Sequence, residues 1–271
     1  MNAPLRLDLR EALRSGVDVS ILVPANFAGK SRGEIERLPL QLGNRNTLVG
    51  DLFEVSGEDA HHIIFSGDTG KLRRAGAALV EGRITIEGDA GDETGFAMTG
   101  GEIHLQGSSG HFTGCQMTGG EIRIEGNAGD FLGAALPGNM QGMRGGLIHV
   151  KGNCGDRAAD RMRRGLILIE GNAGAYLGSR MLAGTVLVKG ATGEMPGFAL
   201  RRGTLILSHA PAQVPSYFND CGVYPLLFTK LLERDLLARK GFEAFLPLPS
   251  RLKRWCGDLA AGAFGEILIP A

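Results

Sequence analysis

The sequence predicts an all-β chain folded as a right-handed parallel β-helix, and three observations carry that prediction. From Arg83 a repeat restarts at Glu102, Glu121, Leu147, Leu166, Thr185 and Thr204, every 19 residues except for one step of 26. Each unit opens with a short stretch of alternating aliphatic residues. Most units then carry Gly-x-x-Gly-x-x-x-Gly. A fixed period of this size marks stacked repeats, in which one unit cannot bury its own apolar face but neighbours bury a continuous core. A left-handed hexapeptide helix would need an aliphatic residue at every sixth position, which this chain does not supply.

Each part of the unit has a physical role. The aliphatic pairs Ile84/Ile86, Ile103/Leu105, Ile122/Ile124, Ile148/Val150, Ile167/Ile169, Val186/Val188 and Leu205/Leu207 fall at alternate strand positions. Period two sends them all to one face. The corner glycines are Gly88, Gly91 and Gly95; Gly107, Gly110 and Gly114; Gly126, Gly129 and Gly133; Gly171, Gly174 and Gly178; and Gly190, Gly193 and Gly197. Glycine accepts positive φ and lets neighbouring backbones approach closely. A second apolar column runs through Met98, Met117, Leu136, Met162, Met181 and Leu200. The long step is assigned to an insert from Pro137 to Met143. Strands about 4.8 Å apart then give a rod of roughly 35 Å.

The chain divides into residues 1–60, an N-terminal cap; 61–208, the solenoid; and 209–271, a C-terminal helix and extended tail. Val17 to Pro24 reads as a strand, and Ser31 and Glu34 have capping-box spacing. Gly29-Lys30-Ser31 ends like a phosphate-binding loop, but Pro24 stands where that loop needs its first glycine. The first segment is therefore expected to cover the open strand edge of the rod. Residues 61–82 read as an irregular first coil. After Ser208 the repeat stops, and Pro225 to Lys240 reads as a helix with an apolar stripe at Leu227, Phe228, Leu231, Leu232 and Leu236, closed by Gly241.

Two surface features stand out. The outward strand positions turn from polar in the early units to aliphatic in the later ones, at Leu147, Leu166, Leu168, Leu187 and Ile206. Such a patch must be covered, by the C-terminal helix or by a partner that docks there. Charge is also uneven: residues 83–130 carry a net −6 and residues 144–202 a net +6. Arg161 and Arg180 share one column and Arg163 and Arg201 another. They form either a solvated surface or a basic ridge that meets an acidic partner or a polyanionic ligand.

The chain has 271 residues and zero formal net charge, which gives no reason to expect nucleic acid. No apolar run approaches a membrane span, and no signal peptide is read at the start. The scattered cysteines Cys115, Cys154, Cys221 and Cys256 point to a reducing cytoplasm. His104 and His149 lie two units apart, about 9–10 Å, too far to share a metal, and read as an exposed polar face. Asp92, Asp130 and Asp156 form a column broken by other residues. No catalytic residue and no metal or cofactor site follows for this chain itself.

The glycine repeat resembles the C-terminal β-helix domain of the glutamate synthase large subunit. The segments GKSRGEIERLPLQLGN and GDLFEVSG, followed by the repeats, are similar to the C subunit of formylmethanofuran dehydrogenase and of its bacterial relative, the formyltransferase/hydrolase complex. The ending, CGVYPLLFTKLLERDL with RWCGDLAAGAFGEILI, looks more like the latter. The resemblance implies a non-catalytic scaffold subunit in a hetero-oligomer with a metal-dependent hydrolase, a formyltransferase and a molybdopterin-enzyme-like subunit. It implies a complex that moves a formyl group from formyl-tetrahydromethanopterin to a methanofuran-type carrier and releases formate, within one-carbon oxidation. A tungsten or molybdenum formylmethanofuran dehydrogenase and a glutamate-synthase-type structural subunit are the alternatives.

Overall fold

The computed structural model describes residues 3–262 and 264–271; Met1, Asn2 and Ala263 of the two end segments lie outside them. In chain order come β1 (Pro4–Leu9), β2 (Val17–Asp18), α1 (Pro24–Phe27), α2 (Arg32–Glu36), β3 (Pro39–Leu42), β4 (Arg45–Leu48), α3 (Val49–Leu52), β5 (Phe53–Ser56), β6 (Asp59–Ser66) and β7 (Leu72–Arg73). The repeats supply β8 (Arg83–Glu87), β9 (Glu102–Leu105), β10 (Glu121–Ile124), β11 (Arg144–Val150), β12 (Arg164–Ile169), β13 (Thr185–Val188) and β14 (Thr204–Leu207). Then follow β15 (Asn219–Tyr224), α4 (Leu227–Ala238), β16 (Leu252–Gly257) and β17 (Gly265–Pro270). The chain is mostly β, dominated among the described residues by a 13-stranded sheet in the order β15-β16-β17-β14-β13-β12-β11-β10-β9-β8-β6-β1-β5.

Within that sheet β8 to β14 pair in parallel, each with the next repeat. Ile84, Ile103, Ile122, Ile148, Ile167, Val186 and Leu205 face one another in one row. All seven are buried, and they form one core with Met98, Met117, Met162, Met181 and Leu200. A second row of parallel bridges joins Ala90, Ser109, Ala128, Cys154, Ala173 and Thr192. The long repeat departs from the expected register. Met143, not Leu136, occupies the apolar column: it is fully buried, and its N–H bonds to Gly133 O, while Leu136 is only half-buried. The extra residues therefore precede Met143, because the buried thioether is fixed by the row above and below it.

The corners explain the glycines. Gly126 N donates to Gly107 O at 2.9 Å, Gly152 N to Gly126 O at 2.9 Å and Gly171 N to Gly152 O at 3.0 Å. A Cβ on Gly126 would sit 2.7 Å from Gly107 O, so the first corner demands the absence of a side chain rather than an unusual φ. The third corner does demand left-handed backbone: Gly114 has φ 67°, and Ala159 takes the same place with φ 61°.

Side chains satisfy the remaining corner N–H groups. Asp89, Ser108, Asn127, Asn153 and Asn172 each accept the backbone N–H of the equivalent residue in the next unit, at 2.7–3.0 Å. Asp92, His111, Asp130 and Asp156 form a second such ladder, at 2.7–3.0 Å. The broken aspartate column is thus a backbone-capping column. Asp recurs in it, and His111 serves because its Nδ1 is also an acceptor.

Both ends of the sheet add non-repeat strands. At one end β1 pairs in parallel with β6 and antiparallel with β5. At the other, β17 joins β14 in parallel, and β16 and β15 follow antiparallel. The tail expected to be merely extended is therefore part of the sheet. The strand expected over Val17 to Pro24 stops at Asp18, whose Oδ1 accepts Ser20 N–H at 2.9 Å and turns the chain. The capping box is present, with Glu34 Oε2 accepting Ser31 N–H at 2.8 Å.

The corner contact yields a direct test. Gly126→Ala is expected to lower stability by about 1–3 kcal/mol through overpacking. An unchanged denaturation midpoint would contradict the close-approach explanation.

Candidate functional site: an arginine cleft beside a covered leucine face

The late strands present Leu147, Leu168, Leu187 and Ile206 away from the main core, yet they are 3%, 0%, 3% and 5% exposed. Leu236 of α4, Phe242 and Phe245 just beyond it, Leu252 of β16 and Leu268 of β17 cover them. Leu166 is partly buried against the same cluster. These five residues, expected as a partner-docking face, are thus occupied by the chain's own C-terminal segment. The apolar stripe of α4 splits accordingly. Leu236 is fully buried, while Leu227, Phe228 and Leu231 are exposed.

The histidine row is also changed by this cover. His149, expected on an exposed polar face, is buried, because Phe242 and Phe245 pack edge-on to its ring at 5.2 and 5.8 Å. Its Nε2 lies 2.9 Å from Glu170 Oε1. Arg123 stacks on Phe242 at 4.8 Å and donates to Lys240 O at 2.9 Å, holding the same segment. His104 instead meets Glu125 at 3.3 Å. Burial pulls the His149 pKa below the usual histidine value, and the Glu170 hydrogen bond opposes that only in part.

The four arginines expected as one ridge separate into two environments. Arg180 forks onto Asp160, with Nε–Oδ1 at 2.9 Å and Nη2–Oδ2 at 2.7 Å, and Arg161 Nε lies 4.0 Å from Oδ2. Asp160 is buried, so this pair neutralises an interior carboxylate. Arg163 and Arg201 instead line a cleft of about 550 Å³ with Arg144, Arg164, Arg202, Gln141, Leu182 and Ala183. Arg144, Arg164 and Arg202 are legible once the units are aligned. They occupy the two positions directly after the apolar column, in Met143-Arg144, Met162-Arg163-Arg164 and Leu200-Arg201-Arg202. Among the described residues no salt bridge reaches any of the five, and no acid lines the cleft.

Elsewhere the chemistry is that of a packed interior. Burial pushes the Cys115 and Cys154 thiols up to about 12, which suppresses the reactive thiolate. Among the described residues no group of three or more His, Cys, Asp or Glu side chains converges to hold a metal ion. No described helix is long and apolar enough to cross a membrane.

Fold and surface together define a class: a glycine-stacked repeat β protein whose distinguishing features are surface columns. The chain belongs to the GXGXG motif family, whose profile matches residues 67–224, more than half of its length. Among curated relatives, it is 40% identical over 85 residues to the Fhc C subunit of the formyltransferase/hydrolase complex of Methylorubrum extorquens, covering 31% of this chain and 32% of that one. It is 39% identical over 71 residues to the C subunit of tungsten-containing formylmethanofuran dehydrogenase 2 of Methanothermobacter marburgensis, covering 24% and 26% of the two chains. It is 34% identical over 87 residues to the C subunit of molybdenum-containing formylmethanofuran dehydrogenase 1 of Methanosarcina barkeri, covering 30% and 29%. These matches span about a third or less of each curated relative's length. The structural match is wider. A chain of the Methylorubrum extorquens formyltransferase/hydrolase complex (FhcABCD), crystallised with methylofuran, superposes with TM-score 0.92 at 39% identity, over 98% of this chain and 99% of that one.

Two outcomes follow. Leu168→Asp is expected to release the C-terminal cover even in the isolated chain, by at least the roughly 2–5 kcal/mol of a large core deletion. Limited proteolysis should then cut within residues 226–250 at lower protease than in the parent. For His149 the folded pKa lies below the unfolded one, so protonation favours unfolding. Stability is fully present above about pH 6.5 and falls as pH drops below it toward the folded pKa. His149→Gln should flatten that part of the pH–stability curve; an equal slope in both proteins would contradict this.

Proposed function

We propose that this chain is the structural C subunit of a formyltransferase/hydrolase-type complex and has no active site of its own. The observation that carries the reading is the end-to-end likeness to a chain of the FhcABCD complex, TM-score 0.92 at 39% identity. The stack of β8 to β14 is read as a right-handed parallel β-helix over residues 61–208. Residues 1–60 cap it, and residues 209–271 return to its sheet and cover its leucine face. In this reading partner subunits do the chemistry: a formyltransferase, a metal-dependent hydrolase and a molybdopterin-enzyme-like subunit. The complex passes a formyl group from formyl-tetrahydromethanopterin to a methanofuran-type carrier and hydrolyses it to formate in the cytoplasm. The rigidity that a stack of backbone hydrogen bonds gives suits a part that holds other subunits in fixed relation.

The apolar contact to a partner is assigned to the outer side of α4. Leu227 is 72% and Leu231 50% exposed, one turn apart on the same helix face. Exposed aliphatics clustered on one face are typical of an interface. The likeness to the C subunits of the tungsten and molybdenum dehydrogenases favours a second reading, in which the partners include a redox subunit.

Affinity purification of the tagged chain from its native host, with mass spectrometry of what accompanies it, separates these readings. Formyltransferase and hydrolase subunits without iron–sulfur proteins are expected. A redox partner would shift the assignment to the dehydrogenase, and recovery of the chain alone would overturn both. Leu227→Asp with Leu231→Asp should weaken partner recovery, by about 2 kcal/mol for a hot-spot residue, with the thermal midpoint of the isolated chain unchanged.

A further inference from the structure

We propose that the arginine cleft is the docking site for an extended acidic segment of a partner protein. This goes beyond the reading above, because it requires only an acidic partner and not a particular complex. The five guanidinium groups of Arg144, Arg163, Arg164, Arg201 and Arg202 share one cleft with no acid in its lining. Elsewhere clustered arginines are compensated: Arg74 Nε meets Glu93 at 2.7 Å, Arg180 Nη2 meets Asp160 at 2.7 Å and Arg254 Nε meets Glu266 at 2.8 Å. An uncompensated cluster of like charge is unfavourable to the folded state on its own and favourable once an anion binds.

The fold does not require these arginines. The position after the apolar column makes the same backbone hydrogen bond whatever its side chain. Thr118 N bonds to Met98 O at 2.8 Å, Arg144 N to Met117 O at 2.7 Å, Arg163 N to Met143 O at 2.8 Å, Leu182 N to Met162 O at 2.7 Å and Arg201 N to Met181 O at 3.0 Å. Threonine and leucine therefore suffice structurally. The second position is glycine at Gly100, Gly119 and Gly145, alanine at Ala183, and arginine only at Arg164 and Arg202.

The spacing indicates what binds. Successive rows lie about 4.8 Å apart, and Leu182 with Ala183 separates the Arg163/Arg164 row from the Arg201/Arg202 row. Two positive groups are thus about 10 Å apart across an apolar floor. A segment in the extended polyproline II conformation rises about 3.1 Å per residue with about three residues per turn, so carboxylates three residues apart face the same side and span nearly the same distance. Guanidinium forks take carboxylates in pairs. A single small anion can bridge the adjacent Arg144 and Arg163/Arg164 rows but leaves the Arg201/Arg202 row, two strand spacings further on, without a partner. A nucleic acid would need a longer basic track, whereas the earlier rows of this column carry Thr99 and Thr118.

The test uses the purified full chain and a fluorescein-labelled peptide, Glu-Glu-Leu-Ala-Glu-Glu, with its all-Gln counterpart, read by fluorescence anisotropy. The acidic peptide is expected to bind roughly tenfold or more tightly than the Gln form, with affinity falling as salt rises. Arg163→Glu with Arg202→Glu should remove that preference. If this variant does not fold, Arg163→Gln with Arg202→Gln serves, and should reduce the preference. Absence of binding at low salt, or binding unchanged in a folded variant, would overturn the proposal. So would a single-stranded oligonucleotide of equal charge that binds more tightly than the peptide. None of these outcomes depends on which proteins co-purify with the chain.

Discussion

The approach of one backbone to the next at the glycine corners governs everything else in this molecule. Gly152 N sits 2.9 Å from Gly126 O, and a Cβ on Gly152 would lie 2.6 Å from that same oxygen. Units that close can share one row of aliphatic side chains, one ladder of Asp and Asn acceptors and one column of methionines. The close stack also forces left-handed backbone on residues that dislike it. Phe112 and Phe131 have φ 60° and 63°, and Arg157 and Tyr176 have φ 58° and 59°. Each costs about 1–2 kcal/mol. The same stacking offsets part of that cost, since Phe112 and Phe131 lie face to face at 4.6 Å and Arg157 lies 4.8 Å from the Tyr176 ring.

The period makes the repeat strands and most of the core legible. Ile103, Ile122 and Ile167, like Met117 and Met162, are buried where alternation and column spacing put them. Other features are hidden for identifiable reasons. Spacing alone cannot say on which side of an insert the register resumes, so it puts Leu136 where Met143 lies. The additions of β15, β16 and β17 to the sheet are long-range pairings by a segment without the repeat. The leucine face is recognisable as needing cover, but what covers it depends on a chain reversal after α4 that no local pattern encodes. Arg161 and Arg180 look like free cations in the sequence because their shared carboxylate, Asp160, stands one residue beside the first and about one unit before the second.

Function follows from what the stack leaves outside. Rows that face inward are constrained to be aliphatic or small. Rows that face outward are free to differ between units, and there this chain concentrates its individuality. The early units are acidic, the later ones carry the arginine cleft, and the leucine rows are sealed by the chain itself, leaving the outer side of α4 as an apolar surface. The proposed scaffold role asks for stiffness and for distinct patches along the length of the chain, and a glycine-stacked sheet of repeats suits both.

Hydrogen–deuterium exchange, compared between the isolated chain and the chain in its purified native complex, tests the central claim most directly. The account predicts that residues 147–206 of the leucine rows are already protected in the isolated chain and change little on assembly. It predicts that α4 gains protection in the complex. Rapid exchange of the leucine rows in isolation, lost only on assembly, would show that a partner covers that face and would contradict the account.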